Sequence, residues 1–373
     1  MEKRLAIIDP VGIKSGMNHY NNALCQSLAN NKTATYVYSN YSVSDSVVEY
    51  RAFFGTFFSS KFLQLLNLLK GLILSALDCK KNKVKVAIVH VFSTHHMAFL
   101  TFLMLKLFRL KVITISHDVS SFTNQDIPIY HHLIYNRWSN HIVVHNDFSK
   151  RQLLPRVSTT SHSKVSVIKH GSFLDIIDTS ISKSSARKYL GLDADVKYLL
   201  FFGRLKATKR LDILLQAMTY IDKNTHLIIA GNPVNNNFDD YQRIINDLQI
   251  SNRVFLDIGY VTDQKRDWYF QASDATVLPY EVIYQSGVLL MSMSYGLPVI
   301  ASNIPPFKEV IQDQKNGLLF ESLTPQDLAK KVNGLMLEEH MRLSLSEFAV
   351  HTMNKDYAWQ EIAKKYEALI TKI

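Results

Sequence analysis

Short apolar runs, each followed by an amphipathic or polar stretch, recur along the whole chain, and this alternation limits the fold more than any other feature. In the first half the strand-like runs are residues 5–8, 35–38, 86–90, 112–116, 142–145 and 165–168. After a polar stretch the pattern restarts with 198–202, 227–230, 254–256, 275–278 and 299–302. Helical stretches fill intervals such as 17–28, 211–218 and 241–248, and an amphipathic helix is expected over 357–370. Strands spaced by helices imply parallel sheets covered on both faces. Ligands of such sheets bind beyond the carboxyl ends of the strands, which singles out residues 12–16, His90, His117, Asp118, His145 and Asn146. At 373 residues the chain exceeds one typical core, and the polar stretch near residue 180 marks a boundary. The expected organisation is a doubly wound α/β domain over 1–180, a second over 181–355, and a C-terminal helix over 356–373. Two such domains can face each other across a central cleft.

An apolar fraction of 47% with 20% charged residues is that of an ordinary globular protein. The net charge of +10 points to an anionic partner: nucleotide phosphate, nucleic acid or an anionic membrane. Cys25 and Cys79 are too few for a disulfide framework or a cysteine zinc site. The opening residues MEKRLAIIDP run straight into a strand without a signal-type apolar region, so the expected location is cytoplasmic. Two greasy stretches stand out, 52–77 and 97–110. Lys61, Lys70, Lys106 and Arg109 interrupt them before the ~18–20 uncharged residues of a membrane span. Within 61–70 the polar residues Lys61, Gln64, Asn67 and Lys70 recur at every third position. That gives a wide apolar face and a narrow basic one, which suits a helix lying in a membrane surface or a buried core helix.

Two features carry chemistry. The first is Gly203-Arg204 at a strand end, with Lys209 following in the loop before a helix. An arginine fork and a lysine point charge can bind a diphosphate and stabilise the charge that builds as it departs. The second is the stretch 279–309, where Gln285-Ser286-Gly287 turns from a strand into a Met-rich helix. A helix start offers free N–H groups to a phosphate, although an ordinary helix start has the same appearance. Asp193-Ala194-Asp195 precedes a strand rather than following one and reads as a turn. The pairs His95-His96 and His131-His132 lack the spacing and partner carboxylate of a zinc site, so no metal is expected.

The run 201–217 (FFGRLKATKRLDILLQA) resembles the donor-site motif of GT-B-fold glycosyltransferases of family 4, the glycosyl transferases group 1. The resemblance continues through Gly231, Gly259-Tyr260-Val261, Gly296-Leu297-Pro298, Glu309 and Asn316-Gly317, and in the first half through Ser15-Gly16, His117-Asp118, His145-Asn146 and His170-Gly171. It implies two Rossmann-like domains and transfer of a sugar from a nucleotide-sugar to a hydroxyl, with retention and without a bound metal or other cofactor. Carried over by position, Arg204 and Lys209 would bind the donor diphosphate beside Gly203 and Gly231. Gly16 would let its loop approach the donor, and His117 would contact the transferred sugar. Tyr260 and Val261 would face the base. The family's two glutamates fall here on Ile283 and Met291, and Glu281 is the only acid nearby. A subset with a Gln-Ser-Gly turn matches Gln285, Ser286, Gly287 and Val288 instead, so that backbone N–H groups would take the phosphates.

The expectation is therefore a peripheral enzyme at the inner face of the cell membrane. Its donor domain would be the second, and its first domain would bind a saccharide or lipid-linked oligosaccharide acceptor and an anionic membrane through Lys61 and Lys70. Envelope polysaccharide, lipopolysaccharide or glycolipid synthesis would be its setting. The rivals are a sugar-nucleotide epimerase on the same fold and a non-catalytic GT-B-like binding subunit. Nucleic-acid binding lacks a base-stacking motif and is not expected.

Overall fold

The computed structural model describes residues 3–55, 60–120, 126–233 and 238–373, without the side chains of Lys14 and Ser15. Part of the first greasy stretch, residues 56–59, lies outside the described residues. The chain divides into two units, Met1–Gly171 with Tyr357–Ile373, and Ser172–Asp356. The first division falls before the polar stretch near residue 180. The intervening backbone is held by the second unit: Phe173 N–H donates to Ser294 Oγ, and Arg266 donates to the Ile176 carbonyl.

The first unit is built on a parallel seven-stranded sheet in the order β3-β2-β1-β4-β5-β6-β7. Its strands are β1 (Lys3–Ile8), β2 (Thr33–Tyr38), β3 (Val48–Arg51), β4 (Val86–Val91), β5 (Lys111–Ser116), β6 (His141–Val144) and β7 (Val165–Val167). Register fixes what happens at one edge. Ile8 lies opposite Tyr38 and Val89, Val91 opposite Ser116, and Val144 opposite Val167. The carboxyl ends thus align, and the next residues along the chain, among them Asp9, His117 and His145, emerge in a row. The helix Asn18–Asn30 covers one face, and the C-terminal helix Trp359–Lys372 packs against it through Tyr20, Trp359, Ile362 and Tyr366.

The helix Lys61–Lys81 departs from expectation. It runs for 21 residues and is long and apolar enough to cross a membrane by length and composition. Lys61 starts the helix and Lys70 sits on its exposed side, so neither shortens it. Leu68, Gly71, Leu72, Ala76 and Cys79 are buried, and Gly71 meets the Phe54 ring. Phe62, Leu63, Leu65, Leu66, Ile73 and Leu77 are exposed. It is thus neither a wholly buried core helix nor a solvated one.

The second unit carries a parallel six-stranded sheet, β10-β9-β8-β11-β12-β13. Its strands are β8 (Lys197–Phe202), β9 (Thr225–Gly231), β10 (Val254–Ile258), β11 (Ala275–Leu278), β12 (Val299–Ser302) and β13 (Leu318–Phe320). The short strands β3 and β13, both at sheet edges, were not foreseen from the apolar pattern. Both sheets are doubly wound, since strand order reverses beside β1 and β8.

Candidate active site

In the second unit the strand ends of β8, β9 and β10 meet through glycines. Gly203 N–H donates to the Ala230 carbonyl, and Gly259 N–H donates to the Gly231 carbonyl. A methyl group on Gly231 would come within 1.8 Å of the Gly203 carbonyl oxygen, so no side chain fits there. This close approach brings the loop 203–210 over the sheet edge.

Lys209 ends a short 3₁₀ turn, Ala207–Lys209, and its side chain is buried rather than solvated. Its ammonium sits 4.9 Å from the centre of the buried Tyr280 ring, a cation–π arrangement. A methyl group on Gly203 would lie 3.5 Å from Lys209 Nζ and 3.4 Å from Val288 Cγ2. Burial, then the charges of Lys206 and Arg204, pushes Lys209 down to about 7. Arg204, by contrast, is exposed and makes no ion pair among the described residues. The expected pair of cations at one mouth is thus one buried lysine and one free arginine.

The turn Gln285-Ser286-Gly287 does open a helix, Gly287–Ser294. Ser286 is its N-cap, its Oγ accepting from Leu289 N–H at 3.2 Å. Gly287 and Val288 form the first turn, where N–H groups have no intrahelical acceptor. Gln285 is half-buried. Glu281 has other work: it pairs at 3.0 Å with Arg210, which also holds Asp212 at 2.8 Å. Arg210 adopts a left-handed conformation, φ 48°, and its two carboxylate partners hold that turn. Met291, at a position where the resemblance expects an acid, joins Val261, Val288 and Phe202 against the domain core. Tyr260 projects into solvent, 78% exposed. This wall is therefore apolar, with its polar groups supplied by backbone and Lys209. Sequence reasoning missed Tyr280, whose only signal is an aromatic residue beyond the carboxyl end of β11.

Other resembling positions hold the scaffold. Asn146 caps a helix by accepting from Ser149 N–H, and Asn316 ties Gln312, Val310 and Thr352 together. Asp193 accepts from Asp195 N–H in the turn before β8.

In the first unit, Gly16 takes φ 73° and caps the 3₁₀ turn Gly12–Ser15, with open space where a side chain would stand. At the carboxyl ends of β4–β7, His90, His117, His145 and His170 surround the buried Tyr20 ring, with centroids 4.9 to 6.2 Å from it. His117 stacks on Phe92, and His90 Nδ1 lies 2.8 Å from His117 Nε2. Burial keeps all four imidazoles neutral: His90 and His145 fall to about 3, His170 to about 4, and His117 well below its usual range. Lys61 and Lys70 stand exposed on their helix, far along the chain from these groups. Among the described residues, no group of three or more His, Cys, Asp and Glu side chains is placed to hold a metal ion.

Two doubly wound parallel-sheet domains define the class, and the chain has the GT-B fold. HepE from Anabaena, solved with UDP and glucose, superposes with a TM-score of 0.77 at 16% identity, covering 100% of both chains. Residues 182–352, within the second unit, match the family described as Glycosyl transferases group 1. An uncharacterised glycosyltransferase of Methanocaldococcus jannaschii is 28% identical over 220 residues, covering 56% of this chain and 54% of that protein. A D-inositol 3-phosphate glycosyltransferase of Thermobispora bispora is 27% identical over 219 residues, covering 56% and 50%. The chain spans about half the length of the curated relatives it matches.

Proposed function

We propose that this protein transfers a sugar from a nucleoside-diphosphate sugar to a hydroxyl acceptor, with the donor diphosphate bound in the second unit. The observation that carries the reading is Lys209: an ammonium buried beside Gly203, close to Val288 at an open helix N-terminus, is costly without an anion to neutralise it. An acceptor hydroxyl attacks the anomeric carbon, and the bond to the diphosphate oxygen breaks. Lys209, Arg204 and the Gly287–Val288 N–H groups stabilise the charge gathering on the leaving phosphate. A donor phosphate oxygen takes the acceptor proton, which fits retention and requires neither a side-chain base nor a metal. His117 contacts the transferred sugar, Gly16 admits the donor phosphates, and Tyr260 and Val261 face the base.

The acceptor is a lipid-linked saccharide of cell-envelope synthesis, and the protein works at the inner face of the membrane. Support comes from the exposed apolar side of Lys61–Lys81, bordered by Lys61 and Lys70. A second reading, a non-catalytic binding subunit, is favoured by Ile283 and Met291 standing where the resemblance expects acids. Nucleotide-sugars scored by thermal shift, followed by sugar transfer with Arg204→Ala and Lys209→Ala, separate the two. Transfer near wild type in both variants would overturn the site. No stabilisation by any nucleotide-sugar would favour the binding subunit.

A further inference from the structure

The carboxyl ends of β1, β4 and β5 bring together a chain of side chains that leads from a carboxylate to His117. Asp9 Oδ1 accepts from Gly12 N–H at 2.9 Å, and Asp9 Oδ2 accepts from Asn21 Nδ2 at 2.9 Å. Asn21 Oδ1 stands 2.7 Å from His90 Nε2, and His90 Nδ1 stands 2.8 Å from His117 Nε2. Asp9, Asn21 and His117 are buried.

Donor and acceptor roles along this line follow from the carboxylate. Burial raises the Asp9 carboxyl above its ordinary range, while hydrogen bonds from Gly12, Asn21 and Val11 favour the ionised form. In that form the carboxylate only accepts, so the Asn21 amide turns its NH₂ toward Asp9 and its oxygen toward His90, as their contacts place them. The Asn21 oxygen can only accept, so His90 carries its proton on Nε2. A neutral imidazole holds one proton, which leaves His90 Nδ1 as an acceptor and requires His117 Nε2–H to donate to it. His117 Nδ1 is then a bare lone pair, with no partner among the described residues. Its neighbours do not compete for this assignment: His145 spends its Nδ1–H on the Ile168 carbonyl.

We propose that Asp9, Asn21 and His90 are positioning residues that fix His117 in the Nε2–H tautomer, so that Nδ1 accepts a hydrogen bond from a hydroxyl of the transferred sugar. The sugar contact rests on the function proposed above; the tautomer does not. Burial keeps His90 and His117 neutral, so each imidazole carries a single proton and the pair can run in only one direction at a time.

The substitution Asp9→Asn makes an opposite prediction for the same atoms. The amide introduced in place of the carboxylate would keep its oxygen on Gly12 N–H and present NH₂ to Asn21, which would flip. The flipped Asn21 amide donates to His90 Nε2, His90 then carries Nδ1–H, and His117 moves its proton to Nδ1. Nitrogen NMR of histidine-labelled protein reads this directly, with His117 signals assigned from their loss in His117→Gln. Wild type should show His117 with a protonated Nε2 and a bare Nδ1, and Asp9→Asn should show the reverse. Asp9→Asn should also lower kcat for sugar transfer about tenfold, the worth of one hydrogen bond, with donor-nucleotide affinity unchanged. A wild-type His117 protonated at Nδ1 overturns the proposal whatever Asp9→Asn does, as does an unchanged His117 in folded Asp9→Asn. The expected tautomers in a protein that transfers no sugar would leave the positioning chain standing and sink the function instead.

Discussion

The Lys209 ammonium lies over the face of the buried Tyr280 ring, 4.9 Å from its centre. An aromatic face attracts a cation but does not solvate it as water does, and burial leaves Lys209 titrating at about 7. A diphosphate bound beside it favours the charged form. At pH 8 nucleoside diphosphate binding should therefore take up about one proton, falling toward none below pH 6. Calorimetry in buffers of different ionisation enthalpy measures this, and Lys209→Met should abolish the uptake. Without ligand the sign runs the other way. The folded value lies below the ~10.4 of an unfolded lysine, so stability attributable to Lys209 rises with pH from about 7 to about 10.

Glu281 should prove a scaffold residue. Its carboxylate is committed to Arg210, and the pair is partly solvent-exposed, so Glu281→Gln should cost at most about 1 kcal/mol of stability. Donor affinity should stay within about threefold of wild type, equivalent to less than 1 kcal/mol. A tenfold weaker nucleotide in Glu281→Gln, by titration calorimetry, would return Glu281 to the donor site.

The histidine cluster sets an acid limit. His90 and His145 titrate near 3 and His170 near 4 in the fold, against about 6.5 when unfolded. Between those values the unfolded chain binds more protons, so stability is full above about pH 6.5 and falls as the pH drops below it. Each histidine contributes a slope of up to about 1.4 kcal/mol per pH unit. Thermal melts from pH 7.5 to 5 should show Tm declining only in the acid half. A flat profile would mean that these imidazoles are not buried neutral.

On the proposed membrane side, Phe62 is 66% exposed and Leu66 46%. Flotation with anionic liposomes should be lost in Lys61→Glu/Lys70→Glu and weakened in Phe62→Ser/Leu66→Ser, with melting temperatures close to wild type. Equal flotation by all these proteins would remove the helix Lys61–Lys81 from the membrane contact.

Much of the fold was legible because it is written locally. An apolar run that ends in a polar or glycine residue is a strand with its carboxyl end marked, so His90, His117, His145, Gly203 and Lys209 could be picked out by position along the chain. Edge strands β3 and β13 escaped because a short strand paired on one side needs no continuous apolar run. The helix Lys61–Lys81 is long and apolar enough for a membrane span even though Lys61 and Lys70 interrupt its apolar run, since Lys61 opens the helix and Lys70 faces outward.

The sequence by itself determined the α/β class, the two sheets and the strand-end positions, since apolar periodicity and glycine placement act over a few residues. Only the tertiary structure decided which of those positions meet. Register carried Asp9 and Asn21 to His90 and His117, packing against Tyr280 buried Lys209 while leaving Arg204 in water, and Arg210 paired with Glu281. These outcomes depend on side chains far apart in the chain competing for the same few ångströms, and no local pattern records which of them wins.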